Sequence, residues 1–212
     1  MPRLRRSAVG GLIYHVLNRG NDRKQIFFKP ADYLAFFMLM LEGLKHAQVE
    51  VLAYCLMPNH WHLVLQPKGD QDLSRYLSWI TNTHAKRYRE HYNTRGHGHV
   101  YQGRFKSFAV QQDHHLLVVL RYVESNALRA GLVQRAEDWP WSSAAAFPPP
   151  HARELLSPWP IARPPDWLEL INQLPPTAEL QEMRVSVNRQ RPFGAKEWIA
   201  QMRPSACAPP SD

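Results

Sequence analysis

Two hydrophobic rhythms, one of period two and one of helical period, alternate along the first two thirds of this chain. The run LIYHVLNR at 12–19 is dense in β-formers and partly alternating, and NRGND then supplies turn chemistry, which predicts a first strand and its exit. Pro30 suits the first turn of a helix, and the apolar density of ADYLAFFMLMLEGLKHA predicts a largely buried helix over 31–47. The runs VEVLAYCLM (49–57) and HWHLVLQ (60–66) flank Pro58-Asn59, a turn pair, and read as a hairpin. Leu73, Tyr76, Leu77, Ile80 and His84 trace one helical stripe over about 72–92. β-type composition at 100–111 predicts a further strand. Residues 113–130 predict a third helix, with Asp113 as N-cap and Gly131 as its end. The order β-α-β-β-α-β-α predicts an α+β fold, a ferredoxin-like antiparallel sheet with helices packed on it.

The rhythm fades after DWPWSS. Nine of the 18 prolines fall between Pro148 and Pro176, which predicts an extended, proline-rich linker and C-terminal arm over 148–212 beyond a domain of residues 1–147. A short helix is expected from Ala195 onward. No internal repeat is evident.

Charge changes the picture more than composition does. Across 212 residues, 26 Lys and Arg against 18 Asp and Glu give a net charge of +8, which favours a polyanionic partner without naming one. Six of the basic residues, Lys86, Arg87, Arg89, Arg95, Arg104 and Lys106, face one acid, Glu90, in the same stretch and alternate with Tyr88, Tyr92 and Phe105. Cations with interleaved aromatics suit phosphate neutralisation and base stacking on single-stranded or hairpin nucleic acid. A solvated helix end with aromatics turned inward is the plainer alternative. Two cysteines, Cys55 and Cys207, make no disulfide framework. The basic N-terminus lacks a signal-peptide core, and no apolar run is long enough to span a membrane, so a cytoplasmic location is expected.

Candidate chemistry centres on His60-Trp61-His62. Strand side chains alternate, so both imidazoles can reach one metal ion while Trp61 packs on the opposite face; the same pattern also arises from plain packing. Tyr122 and Asn126, four apart on the third predicted helix, share a face. The pair can set a phenol nucleophile beside an amide oxygen suited to Mg2+ or Mn2+, or Tyr122 can be a half-buried anchor. Arg121 is a candidate phosphate contact, though it lies about 100° around the helix from Tyr122. Tyr88, Tyr92 and Tyr101 have no Asn or Gln four residues later. His97-Gly98-His99 sits in glycine-rich surroundings that would hold a metal poorly, and the adjacent His114 and His115 are expected to point apart.

Five segments in order, YHVLNRGNDRKQIF, YCLMPNHWHLVL, GHVYQGRFKS, LRYVESNALRAGLV and DWPWSS, together resemble the single-tyrosine transposases of the HUH nuclease superfamily. Within it, the similarity is to the REP-associated tyrosine transposases, over residues 8 to 145. The resemblance implies that His60 and His62 are metal ligands, Asn126 the third ligand and Tyr122 the nucleophile. It implies a Mg2+- or Mn2+-dependent endonuclease and strand transferase acting on REP-type palindromic hairpins through a 5′-phosphotyrosine. Ala127 departs from the proline that many relatives carry after the Asn. Two other classes remain open, a non-catalytic nucleic-acid-binding module and a metal-dependent hydrolase using water, as does the choice between monomer and homodimer.

Overall fold

The computed structural model describes residues 8–94, 96, 98–173 and 177–202. Strand β1 (Ile13–Arg19) leads through a short 3-10 turn (Asn21–Arg23) into helix α1 (Pro30–Gly43). The hairpin β2 (Val49–Met57) and β3 (His60–Pro67) follows, then α2 (Asp72–His91), β4 (Lys106–Val110) and α3 (His114–Glu124). The four strands form one antiparallel sheet in the order β2-β3-β1-β4. This is the α+β sheet with packed helices that the sequence pattern predicts.

The sheet is buried on both faces. Tyr14, Val16, Trp61, Leu63 and Leu65 pack against α1 and α2, with Leu73, Tyr76, Leu77 and Ile80 forming the buried stripe of α2. On the other face Ile13, Val64, Phe108 and Val110 meet Leu116, Val119, Leu120 and Val123 of α3. A bulge between Val51 and Ala53 shifts the β2 register, and both Leu52 and Ala53 join the α3-side core. Gly20 closes β1: a side chain there would meet the Lys24 carbonyl, so the tight exit demands glycine.

Three expectations are corrected. The strand predicted over 100–111 is regular only over β4; residues before it run as a loop whose Tyr101 forms an isolated bridge to Gly20. The helix predicted over 113–130 is broken at Ser125 into α3 and a short α4 (Asn126–Arg129). Ser125 Oγ donates to the Arg121 carbonyl at 2.7 Å, a side-chain bond back to the preceding turn that bends helices. Asp113 does cap α3, and Gly131, at φ +69°, ends α4.

The third correction concerns residues 148–202, where no break in packing occurs at residue 147. Short helices α5 (Ala152–Leu155), α6 (Trp167–Asn172), α7 (Thr177–Arg189) and α8 (Lys196–Gln201) punctuate this segment. Trp167, Ile171, Met183 and Phe193 are buried in the α3-side core. The same segment covers both sheet edges: Leu156 bridges Val51 of β2, and Phe193 bridges Val110 of β4. Composition predicted an extended arm because prolines exclude regular structure, but isolated large apolar residues between them dock on the sheet. Among the described residues no helix is long and apolar enough to cross a membrane.

Candidate active site

His60 and His62 leave β3 on the α3-side face, while Trp61 between them is buried on the opposite face. Each imidazole has its Nδ1 occupied. His60 Nδ1 lies 2.6 Å from Asn59 Oδ1, which must accept, and His62 Nδ1 lies 2.9 Å from His15 Nε2. The Nε2 atoms of both rings carry no hydrogen bond among the described residues. Burial, followed by the positive charges of Arg19 and Arg129, pushes His60 down to about 4. Burial pushes His62 well below the ordinary imidazole value, with His60, His15, Arg129 and Arg19 adding to the effect. Both rings are therefore neutral at pH 7, the state a metal ligand requires.

Tyr122, on the last full turn of α3, brings its ring edge-on to His62 with centroids 5.8 Å apart, and to His15 at 6.2 Å. The phenol and the histidine pair thus meet within one chain. Asn126 opens α4 just past the Ser125 bend and is 8% exposed. Its amide nitrogen is buried with no partner, so the side chain satisfies nothing in the protein itself. Two neutral imidazoles and an amide oxygen, Asn126 Oδ1, that carries no hydrogen bond among the described residues are donor types that fit a divalent cation.

The other tyrosines are committed elsewhere. Tyr101 is buried, its hydroxyl within 2.7 Å of His84 Nδ1 and accepting from Trp61 Nε1 at 3.3 Å. Tyr92 donates to Asp32, and Tyr88 packs on Phe28 and Tyr92.

The predicted basic residues scatter. Lys86, Arg104 and Lys106 are exposed; Arg87, also exposed, pairs with Glu42 at 3.3 Å, and Arg89 donates to the Gly98 carbonyl at 2.6 Å. Arg95 and His97 lie outside the described residues. Arg121 turns away from the histidines and donates to the Gln173 carbonyl at 3.1 Å, so it ties α3 to α6. A groove of about 1210 Å³ runs between α2 and the loop before β4, lined by Asn18, Arg75, Ser78, Asn82, Arg89 and Arg104 among others. It opens on the α2 side of the sheet, and the histidine pair on the α3 side. Consecutive residues at the end of β1 serve the two faces: Asn18 lines the groove and Arg19 stands opposite His60.

Three site residues were not singled out from sequence: His15, Arg19 and Arg129. Arg129 stands two helical turns after Tyr122, a spacing that could have flagged it; its guanidinium carbon lies 4.0 Å from the Tyr122 ring centroid. His15 and Arg19 become neighbours of the pair only through the β1–β3 register, which no local pattern encodes. The adjacent His114 and His115, expected to point apart, instead bring their rings to 3.9 Å with Asp113 alongside. That carboxylate is already engaged by the backbone N–H and Nδ1 of His115.

Residues 8–126 match the family model described as IS200-like transposase. Over 155 residues the chain is 25% identical to a Haemophilus influenzae protein described as a REP-associated tyrosine transposase, covering 68% of this chain and 85% of that one. Its fold is similar to the solved structure of a REP-associated tyrosine transposase bound to a REP hairpin. The TM-score is 0.55 at 23% identity, over 77% of this chain and 93% of that chain.

Proposed function

The chain belongs to the family of IS200-like transposases, and from that premise we propose that it cuts and rejoins single-stranded DNA at REP-type palindromic hairpins, with Tyr122 as nucleophile. The observation that carries this reading is the approach of the Tyr122 ring to the His62 and His15 rings within one chain. His60, His62 and Asn126 would hold a divalent cation, Mg2+ or Mn2+, which would supply Lewis-acid polarisation of the scissile phosphate.

The chain's own groups do the rest. Tyr122 Oη gives up its proton and forms a bond to the phosphorus; the bond from phosphorus to the 3′ oxygen breaks, and that oxygen takes up a proton. The product is a 5′-phosphotyrosine and a free 3′-hydroxyl. Because one ester replaces another, attack by a 3′-hydroxyl reverses the step and joins strands without a nucleotide cofactor. Tyr122 acts in its own chain. The H. influenzae relative and the hairpin-bound relative support a palindromic hairpin as substrate. The groove lined by Arg75, Arg89 and Arg104 offers cations to the DNA backbone on the way to the site.

The test is incubation of the full chain with labelled single-stranded REP-type hairpin DNA and Mg2+ or Mn2+, read on a denaturing gel. The expected result is a protein-linked band that chelator abolishes. Nicking with no protein-linked band would replace this reading with a metal-dependent hydrolase. Binding with no cut at all would leave a non-catalytic binding module.

A further inference from the structure

We propose that Arg19 and Arg129 form a two-guanidinium clamp on the non-bridging oxygens of the phosphodiester that Tyr122 attacks, an assignment that rests on the reading of Tyr122 as nucleophile. Arg19 sits directly opposite His60 across the β1–β3 ladder, so the two side chains leave the sheet on the same face. Arg129 reaches the same place from α4. Its Nη2 donates to the Tyr122 carbonyl at 2.7 Å, its Nε to Ser125 Oγ at 3.2 Å, and its guanidinium lies over the Tyr122 ring.

Neither guanidinium is paired with an anion among the described residues; Arg89 and Arg121 also lack one, but Arg19 stands opposite His60 and Arg129 over the Tyr122 ring. Arg75, Arg87 and Arg135 are paired with Asp72, Glu42 and Glu137 at 3.6, 3.3 and 2.6 Å. Arg19 has no carboxylate partner among the described residues, and its Nε is buried with no partner of any kind. The described hydrogen bonds of Arg129 go only to neutral oxygens, and burial lowers its hold on its proton. The nearby Glu124 is turned away, accepting from Ser143 and Trp167.

The charge balance follows. The three proposed metal ligands are neutral, and two guanidinium groups stand beside them, so the site is cationic before any metal arrives. Half-buried cations without counter-charge cost stability unless an anion completes the site. A phosphodiester presents two non-bridging oxygens to planar donors, the geometry guanidinium recognises best. The competing role for Arg129 is mechanical, since a donor at the Tyr122 carbonyl caps the end of α3.

The test uses the full chain carrying Tyr122→Phe, in chelator, with hairpin DNA in which one uncharged methylphosphonate linkage is moved stepwise along the unpaired flank. The parent is expected to lose about tenfold in affinity at one linkage, the one that the chain with Tyr122 intact cuts. In Arg19→Gln and in Arg129→Gln that loss shrinks to twofold or less, while losses at other linkages persist. If either variant keeps the full loss at the cut linkage, or if the parent senses no single linkage, the clamp is overturned. A purely capping Arg129 would lower the melting temperature and leave the scan unchanged, which also overturns it. Should Arg129→Gln fail to fold, Arg129→Lys keeps the charge and is expected to lose part of the penalty at that linkage alone. A chain that forms no covalent product with DNA fails on the denaturing gel, and the proposal falls with the proposed function. A cut linkage that both variants still sense removes only the clamp.

Discussion

Two histidines separated by one residue on a strand become a usable pair only when something fixes which nitrogen faces the site. Asn59 Oδ1 can only accept from His60 Nδ1, so it directs the His60 Nε2 lone pair outward. Tyr122→Phe removes the oxygen proposed to attack and keeps the ring between Arg129 and the histidines. Hairpin affinity is expected to stay within about twofold while the protein-linked product disappears, a loss of at least a thousandfold in rate. Covalent product from the variant would exclude Tyr122 as nucleophile. A different histidine controls acid stability. His84 is buried against Tyr101, and burial holds it at about 4, below the ordinary 6.5. With its folded value depressed, its neutral form is favoured by folding. That stability is complete above pH 6.5 and is lost as pH falls through about 4. Per histidine the loss is on the order of 3 kcal/mol. His84→Gln should therefore flatten the fall in urea midpoint between pH 6.5 and 4. The slope will not vanish, because His15 and His60 are depressed in the same way, to about 3 and about 4. An unchanged slope in the variant would show that His84 does not titrate there.

At the scale of elements, the stripe of α2 was legible because burial on one face leaves a period in the sequence, and β3, buried on both faces, was legible as a short apolar run beginning at a turn. The order of the elements followed from those patterns. The bend between α3 and α4 left no such trace: Ser125 reads as one more helix-compatible residue, and its bond to the Arg121 carbonyl depends on rotamer, not spacing. Yet that bend places Asn126. With Ser125→Ala the Oγ bond to Arg121 and the Arg129 Nε bond to Oγ both disappear. The helix is expected to straighten, moving Asn126 from the position in which it is proposed to ligate. Calorimetry should then show Mn2+ binding weakened on the order of tenfold, with a small change in melting temperature because alanine favours the helix. Unchanged Mn2+ affinity would mean that Asn126 keeps its place without the serine, or that it is no ligand.

Over the whole molecule, later segments of the chain bridge both outer strands of the sheet, and Ser142 also bridges Cys55 of β2. Leu156 bridges one outer strand, and Phe193 the other, donating to the Ala109 carbonyl and accepting from Gln111 N–H, each at 2.9 Å. Trp159 Nε1 donates to the Leu52 carbonyl at the β2 bulge, and Trp167 Nε1 to Glu124 at 2.6 Å. None of this was readable from the sequence, because these anchors stand singly among prolines and generate no period; a long-range contact has no local signature. The consequence is a sharp expectation for a chain ending at Phe147. Losing Trp167, Ile171, Met183 and Phe193 from the core removes four buried side chains worth roughly 1.5–3 kcal/mol each, or about 6–12 kcal/mol together. That is comparable with the entire stability of an ordinary domain, about 5–15 kcal/mol. It also uncovers the β4 edge at Val110 and the Val51 end of β2, while residues 141–143 still bond to the rest of β2, and open strand edges pair with other chains. The truncated chain should therefore be insoluble, or soluble without near-UV circular dichroism and without a cooperative urea transition. A soluble fragment that unfolds cooperatively and still binds hairpin DNA would show instead that residues 1–147 form an independent domain, and that the later segment only leans on it.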